Sequence, residues 1–379
     1  MHDSSARRWA LVAALLGSVT LPAALAAQAT TPTGNQDNTG YGTTSAEFLL
    51  LGANARGAAL GGSFAAIAND PSALYYNPAG IALMSRPGVQ LSTYTYVADT
   101  RYNWGGFAIP FGGGSRAFGI QLGTFGFSDQ PVYTVDQPDG TGSVYSVNET
   151  FGGISFAQNF SDRFAAGLTA KFVSDQLGGA KGTAFAVDFG TNFHAQLSGH
   201  PVKFSFTLAN LGTNLTYKGV PLDVNVPRTP LPGEEPVPTV PQPGELKTKG
   251  FNLPTTFRVG LAYDLYHGES NHLTILGDFN QPTSNKAGFV FGTEWALNHL
   301  GGSGFGVALR GSYSYQPANN ISVSDVSLTS LTDEENLQGL AVGGGLNYGT
   351  GNFNIGVDYA YRYMGILGPT HFFTFALGW

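Results

Sequence analysis

From about Val89 to the last residue, hydrophobic and polar side chains alternate with a period of two. Each alternating segment has roughly ten residues, the length that a tilted strand needs to cross a bilayer. In the clearest one, Phe353 and Val357 share one face while Asp358 and Arg362 share the other, so one face suits lipid and the other a polar interior. About fourteen segments can be counted, at 89–98, 101–110, 116–127, 150–160, 163–174, 182–195, 201–209, 255–266, 271–281, 286–297, 304–315, 337–349, 352–362 and 370–379.

The lengths of the connections favour a barrel over a soluble β-sandwich. The long ones, at 128–149, 212–254 and 316–336, all follow odd-numbered segments, whereas even-numbered segments are followed by short turns such as 112–115 and 349–351. A barrel that starts at the periplasmic side predicts this asymmetry, because its external loops are long and its periplasmic turns are short. The sequence therefore predicts an all-β transmembrane fold over 87–379, an up-and-down antiparallel outer-membrane β-barrel of about 14 strands.

Residues 45–86 precede the alternation and are rich in alanine and glycine, which allow close backbone packing. Asp70 and Asn77 each stand before a proline, Pro71 and Pro78, and an N-cap residue followed by proline is a start signal for a short helix. Composition alone leaves open a small N-terminal helical cap or a plug. Because a barrel of about fourteen strands is wide enough to need filling, we predict a helical hatch inside it.

The N-terminus has the order of a secretory signal peptide over residues 1–26. Arg7 and Arg8 precede an apolar run at 9–25, and small residues follow, so cleavage is expected after Ala26. Residues 27–44 are rich in Thr, Gly, Asn and Gln and are predicted to form a flexible periplasmic leader. The expected location is the outer membrane of a diderm bacterium, in contact with its lipid.

Composition excludes several classes of protein. Charged residues make up 11% of the chain, against about 25% in ordinary soluble domains, and the net charge of -7 argues against binding to nucleic acid. The absence of cysteine excludes disulfides and thiolate metal sites. No metalloprotease, phosphate-loop or nucleophile-elbow motif occurs. We therefore expect no enzyme activity, no cofactor and no metal, and we expect His267 and His272 beside a turn to be solvated.

The charged residues within the predicted strands fall on the inward face and are balanced in sign. A selective ion pore would carry one sign of charge, so a balanced set predicts ion pairs that fix the wall and hold a plug. Arg56 of the hatch is expected to pair with one of the inward carboxylates. The predicted lumen network contains Lys171, Asp188, Arg258, Asp278, Glu294, Arg310, Asp358 and Arg362, and Lys203 and Asp264 share its face.

The sequence also supports predictions for a proline-rich loop and for the last strand. The loop at 213–254 is rich in proline and is predicted to be extended and solvated, either as a docking arm or as a spacer that shields the mouth of the barrel. The last strand alternates and ends on an aromatic residue. Phe373, Phe375 and Trp379 resemble the signal by which the barrel-assembly machinery recognises outer-membrane proteins.

The predicted hatch also carries a family resemblance. Residues 56–64 and 69–80 read RGAALGGSF and NDPSALYYNPAG, which resembles the N-terminal signature of the PorV/PorQ family of outer-membrane proteins. The candidate site residues of this motif are Arg56, Asp70, Pro71, Asn77, Pro78 and Gly80. Further blocks similar to that family are AVDFG at 186–190, LANLG at 208–212, LPTTFRVGL at 253–261, GTEW at 292–295, LRG at 309–311 and DYAY at 358–361. A narrower similarity, centred on residues 77–80, extends to the FadL family.

The two resemblances imply different functions. PorV-like proteins act in type IX secretion, where they receive exported cargo through its C-terminal domain and pass it to secretion components for surface attachment. FadL-like proteins take up long-chain fatty acids or other hydrophobic compounds through a plugged barrel. The proline-rich loop and the balanced interior favour the adaptor, FadL-like uptake is the alternative, and a structural barrel without transport is a third possibility.

Overall fold

The structure is a computed structural model that describes residue 40 and residues 42–226, 242–268, 270–300, 303–317, 322–323, 326–327 and 338–379. The predicted signal peptide at 1–26, most of the predicted leader, and residues 227–241 of the proline-rich loop lie outside the described residues. Within the described ranges, no helix combines the length and apolarity needed to cross a membrane.

Fourteen antiparallel strands form a closed barrel, which confirms the predicted fold class. Each strand pairs with its neighbours in the sequence, and β1 pairs with β14 through Val89 and Leu377, which closes the wall. The strands are β1 Gly88–Thr95, β2 Arg101–Phe111, β3 Arg116–Pro131, β4 Val144–Ser161, β5 Phe164–Leu177, β6 Ala180–Leu197, β7 His200–Gly212, β8 Thr256–His267, β9 Asn271–Pro282, β10 Gly288–Leu297, β11 Phe305–Tyr315, β12 Leu340–Gly349, β13 Asn354–Tyr363 and β14 Pro369–Gly378.

The alternation in the sequence becomes the two faces of the wall. Large apolar side chains such as Leu122, Phe185 and Phe291 are exposed on the outside, the pattern typical of a wall that faces lipid. Polar side chains such as Gln121 and Thr169 point inward and are buried. The exterior is therefore apolar and the interior polar, the reverse of a soluble domain.

Some predicted strand ends are wrong. β1 ends at Thr95 because Ala98 and Asp99 have positive φ angles of 53° and 58° in the turn that follows. β3 extends to Pro131, and β4 begins at Val144. The loop predicted at 128–149 therefore spans only 132–143. Outside the bilayer both faces of a strand meet water, so the period-two signal fades there while backbone pairing continues.

The external loop after β7 is less solvated than the sequence suggests. Leu215 and Leu253 are buried, Tyr217–Lys218 pair with β6, and Asp223–Val226 pair with Gln242–Glu245 in a separate two-stranded sheet. The start of the described chain lies at the same end of the barrel, because Gly40 N–H donates to the carbonyl of Thr283 at 2.5 Å. Residues 42–44 therefore lie at the end with long loops, which corrects their assignment to a periplasmic leader.

The predicted hatch segment lies inside the barrel. It contains the 3-10 helix Glu47–Leu50, helix α1 Ala55–Ala59, helix α2 Ala73–Tyr76 and the 3-10 helix Pro78–Leu83. The last of these packs on β2 to β6, whereas α1 packs on β11 to β14 at the opposite wall. The segment therefore bridges the lumen from side to side.

The predicted start of one helix differs from the structure. Asn77 caps the 3-10 helix Pro78–Leu83 as expected, with its Oδ1 accepting the Ala79 N–H. Asp70 does not cap a helix directly: its Oδ1 accepts the N–H of Ser72 in a turn, and Ser72 is the residue before α2. An aspartate two residues before a serine can form such a turn, and the helix then begins at Ala73, two residues later than the proline signal indicates.

Candidate functional site

One side of the hatch packs tightly against β2 to β6 through apolar and aromatic side chains. Phe48, Leu74 and Tyr75 of the hatch are buried, and the rings of Phe48 and Tyr75 lie 6.0 and 6.5 Å from that of Phe151 on β4. Gln121 of β3 donates to the carbonyl of Leu74 at 2.6 Å. This contact has the character of an ordinary protein core and fixes the hatch to that wall.

The predicted hatch motif supplies the polar part of the same contact. The Asn77 side-chain amide donates to the carbonyl of Ala65 within the hatch and to that of Thr191 on β6, both at 3.0 Å. Wall glycines allow this approach, since a Cβ at Gly190 would lie 2.1 Å from Asn77 Oδ1. Gly80 serves the same purpose inside the hatch, where a Cβ would lie 2.2 Å from the carbonyl oxygen of Ala68.

Two of the predicted inward charges form a buried pair beside this core. Lys171 Nζ lies 2.6 Å from Asp188 Oδ2, and both side chains are at most 2% exposed. Lys171 also donates to Asn210 Oδ1 at 2.8 Å, and Asp188 Oδ1 accepts the Asn210 N–H at 2.8 Å. The pair therefore closes a hydrogen-bonded triangle between β5, β6 and the end of β7.

A second ionic cluster joins the hatch to the opposite wall. Arg56 binds Glu294 with two hydrogen bonds of 2.8 Å and also contacts Asp70 of the hatch at 3.0 Å. Arg310 binds the same Glu294 at 2.6 Å and Asp358 at 2.5 Å. Arg56 thus meets an inward carboxylate, and the bidentate geometry is the strongest that an arginine and a carboxylate form. We call these five residues the Arg56 cluster.

A cavity of about 500 Å³ lies between the hatch and the wall on the external side. The hatch contributes Gly57, Ala58 and the rings of Tyr75 and Tyr76, and the wall contributes Arg258, Arg362, Asp278 and Asn280, among others. These three charged residues belong to the predicted lumen network. We call this space the external cavity.

A larger cavity of about 1040 Å³ lies at the end with short turns. Its lining includes Arg56, Asp70, Pro71, Glu294, Arg310 and Asp358, so the Arg56 cluster forms one boundary of this periplasmic cavity. Arg56 borders it while the next residues, Gly57 and Ala58, border the external cavity. One turn of α1 and its ion pairs therefore separate the two spaces.

The external mouth carries a group that the sequence analysis missed. Tyr217 of the loop after β7 donates to Asp175 Oδ2 at 2.5 Å, and Ser45, the first residue of the hatch, contacts both side chains. Burial, followed by the bond to Asp175, raises the pKa of Tyr217 above its usual value. The sequence did not indicate a role for Tyr217, because its hydrogen-bond partner Asp175 is 42 residues away along the chain.

The remaining predicted residues lie outside this arrangement. Phe373, Phe375 and Trp379 are 43 to 53% exposed and face outward. The Nδ1 atoms of His267 and His272 lie 3.1 Å apart beside the periplasmic cavity. In the part of the chain that the structure describes, no three His, Asp or Glu side chains are arranged to hold a metal ion.

The fold is similar to that of solved outer-membrane transport barrels. The Pseudomonas putida toluene transporter TodX matches with a TM-score of 0.51 at 12% identity, over 86% of this chain and 97% of that one. The Ralstonia pickettii toluene transporter TbuX matches with a TM-score of 0.51 at 14% identity, over 87% and 98%. The monoaromatic hydrocarbon channel CymD matches with a TM-score of 0.51 at 11% identity, over 87% and 97%. This likeness shows a FadL-like barrel fold.

Sequence comparison gives one family. The model of UPF0164, described as an uncharacterised protein family, matches residues 19–263. No curated protein matches the sequence significantly.

Proposed function

The chain belongs to the UPF0164 family, and on that premise and the geometry of its lumen we propose that it is a FadL-like uptake protein of the outer membrane. It takes hydrophobic small molecules from the external side into the external cavity and passes them to the periplasm when the hatch shifts. The proposed activity is transport without chemical change of the ligand.

The observation that carries this proposal is the thin partition between the two cavities. Arg56 borders the periplasmic cavity, and Gly57 and Ala58 border the external one, so a shift of α1 would join them. A cavity of about 500 Å³ is within the size range of small-molecule sites. The similar barrels TodX, TbuX and CymD, whose names describe toluene or monoaromatic hydrocarbon transport, support the same class of ligand.

The test is to lock α1 to the wall and measure uptake. A Cβ at Gly292 on β10 would lie 3.5 Å from Leu60 Cδ2, at the end of α1, and the native chain has no cysteine. Leu60→Cys with Gly292→Cys should form a bridge under oxidant. In cells that lack their own FadL-type channel, uptake of labelled hydrophobic compounds should stop under oxidant and return with reductant.

The two single-cysteine variants, treated in the same way, are the matched controls. Unchanged uptake in the bridged protein would contradict a route past α1. Uptake no faster than in cells without the protein would overturn the transport proposal as a whole.

A second candidate is a PorV-type adaptor for exported proteins. The sequence blocks that resemble that family support it, as does the external loop between β3 and β4, where Tyr133 and Val135 are 61% and 99% exposed. Its partners would be the C-terminal domains of cargo proteins and secretion components. A pull-down of the tagged protein from detergent-solubilised membrane, with bound protein and lipid identified by mass spectrometry, separates the two candidates.

A further inference from the structure

The charges of the lumen divide into paired and unpaired residues. Lys171 pairs with Asp188, and Glu294, Arg310 and Asp358 pair within the Arg56 cluster. Three residues of the predicted network form no ion pair with any described residue, namely Arg258, Arg362 and Asp278. All three line the external cavity. The unpaired charges of the network are therefore collected in one place.

Asp278 is the most unusual of the three. It is 4% exposed, and neither carboxylate oxygen has a hydrogen-bond partner among the residues that the structure describes. The Ser63 hydroxyl of the hatch lies beside it, yet the two form no hydrogen bond of ordinary geometry. Burying a carboxylate without a partner is unfavourable, so this position favours an incoming donor or cation.

The two arginines offer the opposite chemistry. Arg258 on β8 uses its Nε to donate to Asn280 at 3.3 Å, and its remaining N–H groups have no partner among the described residues. Arg362 on β13 makes no side-chain hydrogen bond within the described ranges. A guanidinium with free N–H groups binds carboxylates and phosphates in a planar, two-bond geometry. This part of the cavity favours an anion.

The rest of the lining leaves room for a hydrophobic group. Leu50, Leu51 and Val290 border the cavity together with the rings of Tyr75 and Tyr76. Both tyrosine hydroxyls already form hydrogen bonds within the hatch. The Tyr75 hydroxyl donates to the carbonyl of Leu49 and accepts from the Gly52 N–H, and the Tyr76 hydroxyl accepts from the Ala53 N–H. The other charged residue in the lining, Glu47, lies exposed at its rim and accepts a bond from Thr44.

We propose that the external cavity binds a zwitterionic amphiphile, an organic acid that also carries an ammonium group and a hydrophobic portion. Its carboxylate binds Arg258 and Arg362, its ammonium group binds Asp278, and its hydrophobic portion packs against the tyrosines. The proposal rests on the proposed uptake function and narrows its substrate class, because a neutral hydrocarbon would leave all three charges unpaired.

Four ligands with the same phenylethyl skeleton test this proposal. L-Phenylalanine carries both charges, 3-phenylpropionate only the negative one, phenethylamine only the positive one, and ethylbenzene neither. Binding is measured by calorimetry on the full-length protein in lipid nanodiscs, with empty nanodiscs as the blank. L-Phenylalanine should bind tightest, and each removed charge should weaken binding about tenfold or more, since hydrogen bonds to charged groups are the strong ones.

Variants that each remove one charge from the cavity show which group of the ligand each residue binds. Asp278→Asn should lower the affinity for L-phenylalanine to that for 3-phenylpropionate. It should leave the affinity for 3-phenylpropionate unchanged. Arg258→Gln and Arg362→Gln should each weaken both acids about tenfold and leave ethylbenzene unchanged. The matched controls are Asp129→Asn and Arg116→Gln, two exposed residues of β3 outside the cavity. Heat-dependent migration on gels verifies that each variant forms the barrel.

The outcomes separate this proposal from the one on which it rests. If wild-type protein binds ethylbenzene as tightly as L-phenylalanine, or if the three variants bind all four ligands like wild type, the zwitterion proposal is overturned while hydrophobic uptake stands. If none of the four ligands binds and uptake in cells is also absent, both are overturned.

Discussion

The two sides of the hatch differ in what holds them to the barrel. Against β2 to β6 the contact is mainly apolar and aromatic and tightly packed, with Leu74 and Phe151 at most 1% exposed. Against the opposite wall the contact includes the ion pairs of the Arg56 cluster on β10, β11 and β13, and this side borders both large cavities. Close packing fixes a structure in one arrangement, whereas ion pairs beside water can exchange partners. The comparison suggests that β2 to β6 anchor the hatch and that α1 is the part that moves.

The largest expected effect is on the anchored side, at the buried pair of Lys171 and Asp188. Lys171→Met leaves Asp188 charged and without its partner in the core, which should lower the free energy of unfolding by about 3–5 kcal/mol. Adding Asp188→Asn removes the charge but keeps an oxygen that can accept the Asn210 N–H. The double variant should therefore be more stable than Lys171→Met alone, as measured by denaturant unfolding in detergent. Equal stability of the two would mean that the charge is not the cause.

Gly167 on β5 tests the close packing of the same side. A Cβ there would lie 2.5 Å from the backbone carbon of Pro78, so Gly167→Val should push the 3-10 helix Pro78–Leu83 away from the wall. Overpacking of this kind costs about 1–3 kcal/mol. We expect a lower unfolding midpoint and increased ion conductance in planar bilayers. Gly152→Val is the control, since Gly152 lies on the lipid-facing side of β4.

Much of the barrel was predictable because membrane and lumen impose a strict alternation on each strand. Glu294 and Arg310 were also within reach of the sequence, since they lie opposite each other across the β10–β11 hairpin. The contact of Arg56 with Glu294 follows from charge balance, but the choice among inward carboxylates depends on where α1 sits along the barrel axis. No local sequence pattern encodes the position of α1 along the barrel axis.

The unpaired group of Arg258, Arg362 and Asp278 could not be predicted. Arg258 and Asp278 lie on neighbouring strands, and Asp278 stands opposite Gly260, two residues from Arg258, so an ion pair would be the simplest expectation. The structure instead directs Arg258 to Asn280, which stands directly opposite it. Whether a charge is paired depends on side-chain direction and on the hatch surface, and neither can be read from alternation.

On the ionic side, Arg56→Gln should have a moderate effect. Glu294 keeps Arg310 as a partner, and Arg56 is 18% exposed, so the loss should be about 1–2 kcal/mol, below that of a fully buried pair. The functional readout should be clearer than the stability, because the partition between the cavities weakens. We expect uptake and conductance to rise, with Arg56→Lys in between, since a lysine keeps the charge without the two-bond geometry. Arg116→Gln serves as the control, and unchanged uptake in Arg56→Gln would place the moving part elsewhere.

The smallest expected effect is at the external mouth, where Tyr217 holds the start of the hatch segment through Asp175 and Ser45. Tyr217→Phe keeps the ring but removes the hydroxyl, which should cost about 1 kcal/mol, the usual worth of one hydrogen bond. Residues near Ser45 should then exchange amide hydrogens faster, while those of α2 stay protected by the aromatic contact. Tyr133→Phe, in an exposed external loop, is the control. If α2 lost protection to the same degree, the hatch would move as one body and the division into an anchored side and a movable side would be wrong.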